Sequence, residues 1–334
     1  MRIYSLRAPG GRLVVALLAV LVIVCVRVGD AQTRFAYTKG QVVTPTYEGW
    51  WPNEDGSFTL FFGYFNTNWQ EEFDVPIGAD NAIEPGGPDH GQPTHFYPRR
   101  NPFLFTIRVP KEFETTTKEL VWTLTTNGKT ERAFATLKGD YRVDPQVIQM
   151  EVGGDRGSQR HELRTNKPPD LKVEGSAQRT VRVGEPVTLV AFANDPDNLP
   201  ARRERGEEGP AGGRERGSST AKPPEPVDPV KELFRPPPNA ATPQSPPGLR
   251  LSWIVYRGRA AAVTFSPEQM KTWEDTRAYA NSPWSPGTVI PPPPPDGKWI
   301  VRATFQEPGA YVLRAVASDS ALFTYENVTV TVTR

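Results

Sequence analysis

Alternation of apolar and polar side chains dominates the chain, and a period of two is the signature of half-buried strands. Phe103, Phe105, Ile107 and Val109 share one face of such a strand. The stretch 57–66 is rich in Phe, Tyr, Thr and Leu, residues that favour a pleated surface. Strands are also predicted over 42–51, 72–76 (a short edge), 120–126 and 130–137. Asp55-Gly56 marks a reverse turn after Trp51. Asn127-Gly128, between two strand patterns, is the clearest hairpin signal, because both central residues tolerate positive φ. Six strands joined by short turns over 41–137 predict an antiparallel sandwich. The stretch 77–101 breaks the pattern: it is dense in Gly, Pro and Asp, and is expected to be a long loop without regular structure.

Residues 138–167 are polar and weakly patterned and read as a linker. Strand patterns resume at 181–183 and 187–193 around Gly184-Glu185-Pro186, and again at 249–256, 262–265, 299–305, 311–318 and 323–332. Two insertions interrupt this second set. Over 199–248 the composition falls to Pro, Gly, Arg, Glu, Ser and Ala. That stretch is expected to be disordered, since it cannot bury enough apolar surface to offset the entropy of ordering. The second insertion, 266–298, opens with a helix signal. Ser266 is placed to cap it, Pro267 to start it and Gln269 to close a capping box, with Met270 and Trp273 facing inward. It ends in five prolines, 291–295, that suit polyproline II. If 262–265 is the fourth strand of this set, both insertions leave from one pole.

The fold class predicted is all-β: two antiparallel sandwiches with long Pro-rich insertions. Within 168–334 the quoted residues carry a resemblance. Asp195-Pro-Asp197, the Ser252-Trp253 pair, Glu307 to Asp319 and the final Val-Thr run resemble bacterial PKD-type and related immunoglobulin-like modules. The resemblance implies that Trp253 is the core tryptophan of the third strand and that Tyr311 is the corner tyrosine, with Leu313 where antibody domains place Cys. It implies no particular function. The first region resembles secreted bacterial proteins of no known activity.

The N-terminus adds location. Arg2, Arg7 and Arg12 precede an unbroken apolar run, 13–26, and Gly29 and Ala31 are small residues suited to a signal peptidase. Fourteen residues make roughly 21 Å of helix, short of a membrane span, so a signal peptide cut after Ala31 is expected, with no span afterwards. Cys25, the only cysteine, lies in that run, which leaves the mature chain without disulfides or thiolate sites. In the first 31 residues four arginines face one aspartate, +3. With +1 over the whole chain, the remainder carries −2, which is not the footprint of a nucleic-acid binder.

Candidate chemistry is sparse. Asp89, His90 and His95 have spacing compatible with zinc but no evident fourth ligand. No Gly-x-Ser-x-Gly motif is present. No cofactor motif appears, and calcium is the one ion for which oxygens are offered. Asp195, Asp197, Asn198 and Asp319 would meet at one end of an immunoglobulin-like sandwich; turn formation by the same Asp side chains competes with that reading. Trp50, Trp51 and Trp69 could form a sugar-stacking platform if exposed in a row, while core packing is the competing role. Three functions follow. The first is an exported, non-catalytic binding or structural module whose partner is an envelope or extracellular protein or polysaccharide. The second is a carbohydrate-binding accessory module, and the third is a hydrolase using the 84–100 loop.

Overall fold

The computed structural model describes residues 37–151, 164–199, 248–272 and 292–334. The expected signal segment 1–31, nearly all of the insertion 199–248, and Trp273 with most of the insertion 266–298 lie outside the described residues. Among those described, no helix is long and apolar enough to cross a membrane.

The first sandwich pairs two three-stranded antiparallel sheets. One has β1 (Val43–Pro52), β2 (Phe58–Asn66) and β6 (Arg99–Val109) in the order β1-β2-β6. The other has β4 (Asn81–Glu84), β7 (Leu120–Thr126) and β8 (Lys129–Ala135) in the order β4-β7-β8. A two-stranded ribbon joins β3 (Phe73–Asp74) to β5 (His95–Phe96). The inward residues of alternating strands make the core. Phe62 stacks on Phe105 at 5.2 Å, and both meet the edge of fully buried Trp122. Asn127 and Gly128, at φ 49° and 70°, turn the β7–β8 hairpin.

The second sandwich has β9 (Asp170–Val173), β11 (Pro186–Asn194), β14 (Lys298–Phe305) and β13 (Val263–Ser266) in one sheet. The other sheet has the order β10 (Gln178–Arg182), β16 (Phe323–Thr333), β15 (Gly309–Ser318), β12 (Arg250–Arg257). Strand β10 runs parallel to β16 and all other pairs are antiparallel. With β10 set aside as an added edge strand, the first, second, fifth and fourth of the remaining seven strands on one sheet, and the third, sixth and seventh on the other, are the immunoglobulin-like order. Trp253 is buried in the core between the sheets. The Tyr311 hydroxyl donates to the Glu307 carbonyl at 3.0 Å, as the corner role requires.

Three expectations need correction. The stretch 77–101 contains β4, β5 and the start of β6. The part of 138–167 that is described is packed rather than loose: helix α1 (Pro145–Glu151) buries Ile148, and Val143 is buried just before it. Asp144 Oδ1 accepts from the Gln146 and Val147 N–H groups at 2.9 Å each, an N-cap followed by Pro at the first helical position. Val143 can dock because Gly49, at φ 129° in a bulge of β1, has no side chain to collide with Tyr141 and Val143. Finally, Ser266 ends β13 rather than capping a helix, and 267–272 has no regular structure. Gln269 Oε1 instead accepts the Trp253 N–H at 2.9 Å, since an outward strand amide needs a partner.

The insertions do leave from one pole. Phe192 pairs with Lys298 and Ser266 with Arg302, so the ends of β11 and β13 lie beside the start of β14.

The aromatic core fixes the first sandwich. Replacing Phe62 with Ala should destabilise the protein by about 3–5 kcal/mol, read as a lower urea midpoint with unchanged slope.

Candidate functional site: the seam between the sandwiches

Three buried amides hold the long Gly/Pro loop in one shape. Asn81 Nδ2 donates to the carbonyls of Val75 (3.0 Å) and Pro93 (2.8 Å), while its Oδ1 accepts from Trp122 Nε1 at 3.0 Å. Gln92 Nε2 donates to the Pro88 carbonyl at 2.6 Å, and its Oε1 accepts the His90 N–H at 2.8 Å. Asn66 Nδ2 donates to the Glu71 carbonyl at 2.7 Å and to the Phe96 carbonyl at 3.4 Å. Each amide occupies both its donor and its acceptor functions or ties two loop segments together, which a Gly/Pro sequence cannot do with its own backbone.

The ordered loop lies along β12 of the other sandwich. The Tyr97 hydroxyl accepts the Val255 N–H at 2.9 Å. Thr94 donates its N–H to the Tyr256 carbonyl at 3.1 Å, and its Oγ1 accepts the Gly258 N–H at 2.9 Å. Val255 pairs with Leu313 and Arg257 with Val312, so Tyr256 is the extra residue of a bulge. Bulges re-aim side chains, and this one sends Tyr256 into the core of the first sandwich, with its hydroxyl donating to the Gly91 carbonyl at 2.5 Å. Arg257 forks onto Asp89 (2.7 and 3.0 Å) and donates to the Gln92 carbonyl at 2.8 Å. Its hydrogen bonds hold the Asp89 carboxyl below the usual range.

Arg314 of β15 is 2% exposed, with its guanidinium between the rings of Tyr256 (3.4 Å) and Tyr325 (4.1 Å). It donates to Asn327 Oδ1 at 2.8 Å and to the Leu104 carbonyl of β6. Beyond it, Phe61 and Phe103 of the first sandwich, Val143 and Ile148 of the connection, and Leu322 form a small shared core.

The sequence-predicted residues are distributed as follows. Trp50, half-buried, packs on Phe58 and donates to the Lys138 carbonyl, while Trp51 packs on Phe61 toward the shared core. Trp69 is buried under the Arg99 guanidinium at 3.9 Å. The three rings therefore do not form one exposed row: neighbours on a strand point to opposite faces. Asp195 is near enough to Asp197 and to Asp319 to feel their charge, but oxygens of all three accept hydrogen bonds from nearby N–H groups. Asp195 Oδ1 accepts from Asn198 N–H at 3.0 Å, and Asp197 accepts from Leu199 and Lys167 N–H at 3.1 and 2.8 Å. Asp319 accepts from Ala321 and Leu322 N–H at 2.6 Å each and from Asn166 Nδ2 at 3.1 Å. Asp89, His90 and His95 do not converge. Among the described residues no group of three or more His, Cys, Asp or Glu could hold a metal ion.

His95 is nearly fully buried, with Nδ1 2.8 Å from Asp74 and Nε2 3.2 Å from Glu72, the latter an ion pair off the hydrogen-bond line. Burial alone would lower its pKa; the two carboxylates outweigh it and raise it above the ordinary imidazole value. Nδ1 is bonded to Asp74, and the ring is enclosed beside both carboxylates. Sequence reasoning missed the residues that make the seam: Asn81, Gln92, Thr94, Tyr97, Tyr256, Arg257 and Arg314. No periodicity marks them.

No protein-family model matches this chain, and no curated protein does. Solved structures similar to it include the N-terminal eight Ig domains of Down Syndrome Cell Adhesion Molecule, at 8% identity over 87% of this chain and 27% of that one (TM-score 0.20). The Yersinia pseudotuberculosis adhesin InvE is similar at 10% identity over 88% and 59% (TM-score 0.22), and the D00-D0 domain of Intimin at 9% over 87% and 100% (TM-score 0.22). The immunoglobulin-like fold is read from the strand order itself.

Two outcomes are expected. Tyr97→Phe leaves the Val255 N–H without its acceptor, at a cost of about 1–3 kcal/mol, so hydrogen exchange at that amide should speed up by about tenfold or more. The second concerns Asp319. Burial pushes its carboxyl up to about 6 from 3.8, and nearby Asp195 adds to the rise. The folded state then binds more protons than the unfolded state between those values, so this group's contribution to stability falls as pH rises from about 4 to 6. Asp319→Asn should flatten that part of the stability–pH curve relative to wild type in urea titrations.

Proposed function

We propose that this chain is an exported, non-catalytic unit that binds an envelope or extracellular protein or polysaccharide, or has a structural role in the cell envelope. The observation that carries the reading is the seam. Groups of the long loop join the sandwiches: Asp89 holds Arg257 and Tyr97 holds Val255, while His95 is enclosed within the first sandwich beside Asp74 and Glu72. A hydrolase would need an accessible base beside a nucleophile, and His95 of that loop is enclosed. What the seam provides is a frame in which the strand ends that lead into both insertions share one pole, and loops on a rigid scaffold are where binding usually resides. Export rests on the basic and apolar pattern of residues 1–31.

The test has two arms. The full chain expressed in a Gram-negative cell should be recovered outside the cytoplasm with Gln32 as its first residue, by N-terminal sequencing of fractions. The mature protein should bind isolated envelope material saturably while turning over no chromogenic ester, glycoside or peptide. Retention in the cytoplasm with residues 1–31 intact would refute export; turnover abolished by His95→Gln would establish the hydrolase reading instead.

A further inference from the structure

The outer face of the β12-β15-β16 sheet is organised in rows set by the strand register. Arg250, Ser318 and Phe323 form one, Ser252, Val316 and Tyr325 the next, and Ile254, Arg314 and Asn327 the third. These positions point away from the core, because Leu251, Trp253 and Val255 between them point into it. The third row is covered by Leu104 of the first sandwich. Beside it, a cavity of about 110 Å³ opens between Asn101, Pro102 and Leu104 on one side and the first two rows on the other.

Cationic side chains line that cavity. Arg250, Lys271 and Arg314 line it, and among the described residues no carboxylate does. Arg314 carries the argument. It is buried, and no carboxylate pairs with it among the described residues; its contacts are two tyrosine rings, an amide oxygen and a backbone carbonyl. Removing a guanidinium from water without a counter-charge is costly, and burial lowers its pKa below the usual arginine value. The tyrosine rings lie against the guanidinium at 3.4 and 4.1 Å, and the bonds to Asn327 and Leu104 fix its orientation. What remains is its edge, with N–H donors beyond the two already used. A guanidinium held this way is a preorganised fork for an oxyanion. Ser252, 5% exposed and in the neighbouring row, adds a hydroxyl to the cavity wall.

We propose that the cavity between the sandwiches binds a small oxyanion (a carboxylate, phosphate or sulfate group) through the Arg314 guanidinium edge and the Ser252 hydroxyl. Size sets the limit. The cavity has room for a few waters' worth of volume, at about 30 Å³ each, well short of the roughly 300 Å³ of a drug-sized site. The ligand is therefore an inorganic anion or the acid group of a short organic molecule. Because that anion would touch Arg314, which ties β15 to β6, its binding would also tighten the seam.

Isothermal titration of the mature protein with phosphate, sulfate and acetate, each against chloride at matched ionic strength, tests this. Saturable binding of at least one is expected. Arg314→Gln should weaken it by about tenfold or more, the loss of a charge-assisted hydrogen bond. Ser252→Leu, which fills the cavity and leaves Arg314 in place, should do the same with an unchanged circular dichroism spectrum. If Arg314→Gln does not fold, Ser252→Leu decides. No saturable binding of any of the three anions, or binding that Ser252→Leu leaves intact, would overturn the proposal.

Discussion

An edge strand can be buried only if its outward backbone groups find partners, and β12 finds all but one of those named below in the other sandwich. One edge of β12 is bonded to β15. Along the other, the Val255 N–H goes to the Tyr97 hydroxyl, the Tyr256 carbonyl to the Thr94 N–H, the Gly258 N–H to Thr94 Oγ1 and the Trp253 N–H to Gln269. The ordered shape of the long loop, the bulge that sends Tyr256 across the seam, and the enclosure of Arg314 all depend on that strand being satisfied from outside its own sheet. A strand left open there would be a site for indiscriminate pairing.

The seam is accordingly more polar than a core. Its apolar part is limited to Tyr256 in the first core and the cluster around Phe61, Phe103 and Leu322. The rest is amides, hydroxyls and charges with defined partners. Such contacts specify orientation more than they add stability, because each exchanges one hydrogen bond with water for one within the protein. Two ionisable groups, His95 and Asp319, lie along or beside it with raised pKa values. His95 contributes stability that is fully present below its unfolded value of 6.5 and is lost as pH rises through its folded value; Asp319 also favours the protonated side. Both therefore act in the same direction.

The strands were legible because burial imposes a period of two on side chains whatever the tertiary context. The shared face of Phe105, Ile107 and Val109 on β6 and the Asn127-Gly128 hairpin follow from that and from turn chemistry; Phe103, expected on the same face, is instead turned into the shared core by an irregularity of the strand where its φ is 49°. The long loop was not legible, because its order comes from single side chains such as Asn81 and Gln92 reaching carbonyls far away in sequence, and an amide in a Gly/Pro-rich stretch looks the same whether solvated or buried. Tyr256 was hidden for a related reason: in a strand pattern it reads as one more outward aromatic, and only the bulge assigns it to the other core. The helix at Pro145–Glu151 was available from Asp144-Pro145 and the Val147-Ile148 pair, and was obscured by the polar residues around it. For the candidate sites, the turn N–H groups that occupy Asp195 and Asp319 cannot be seen without the backbone path.

Differential scanning calorimetry of the mature chain tests the central claim, that the seam makes the two sandwiches one mechanical and thermodynamic body. A seam of this kind predicts a single transition with equal calorimetric and van't Hoff enthalpies. Two resolved transitions, one for each sandwich and unaffected by Tyr97→Phe, would contradict it.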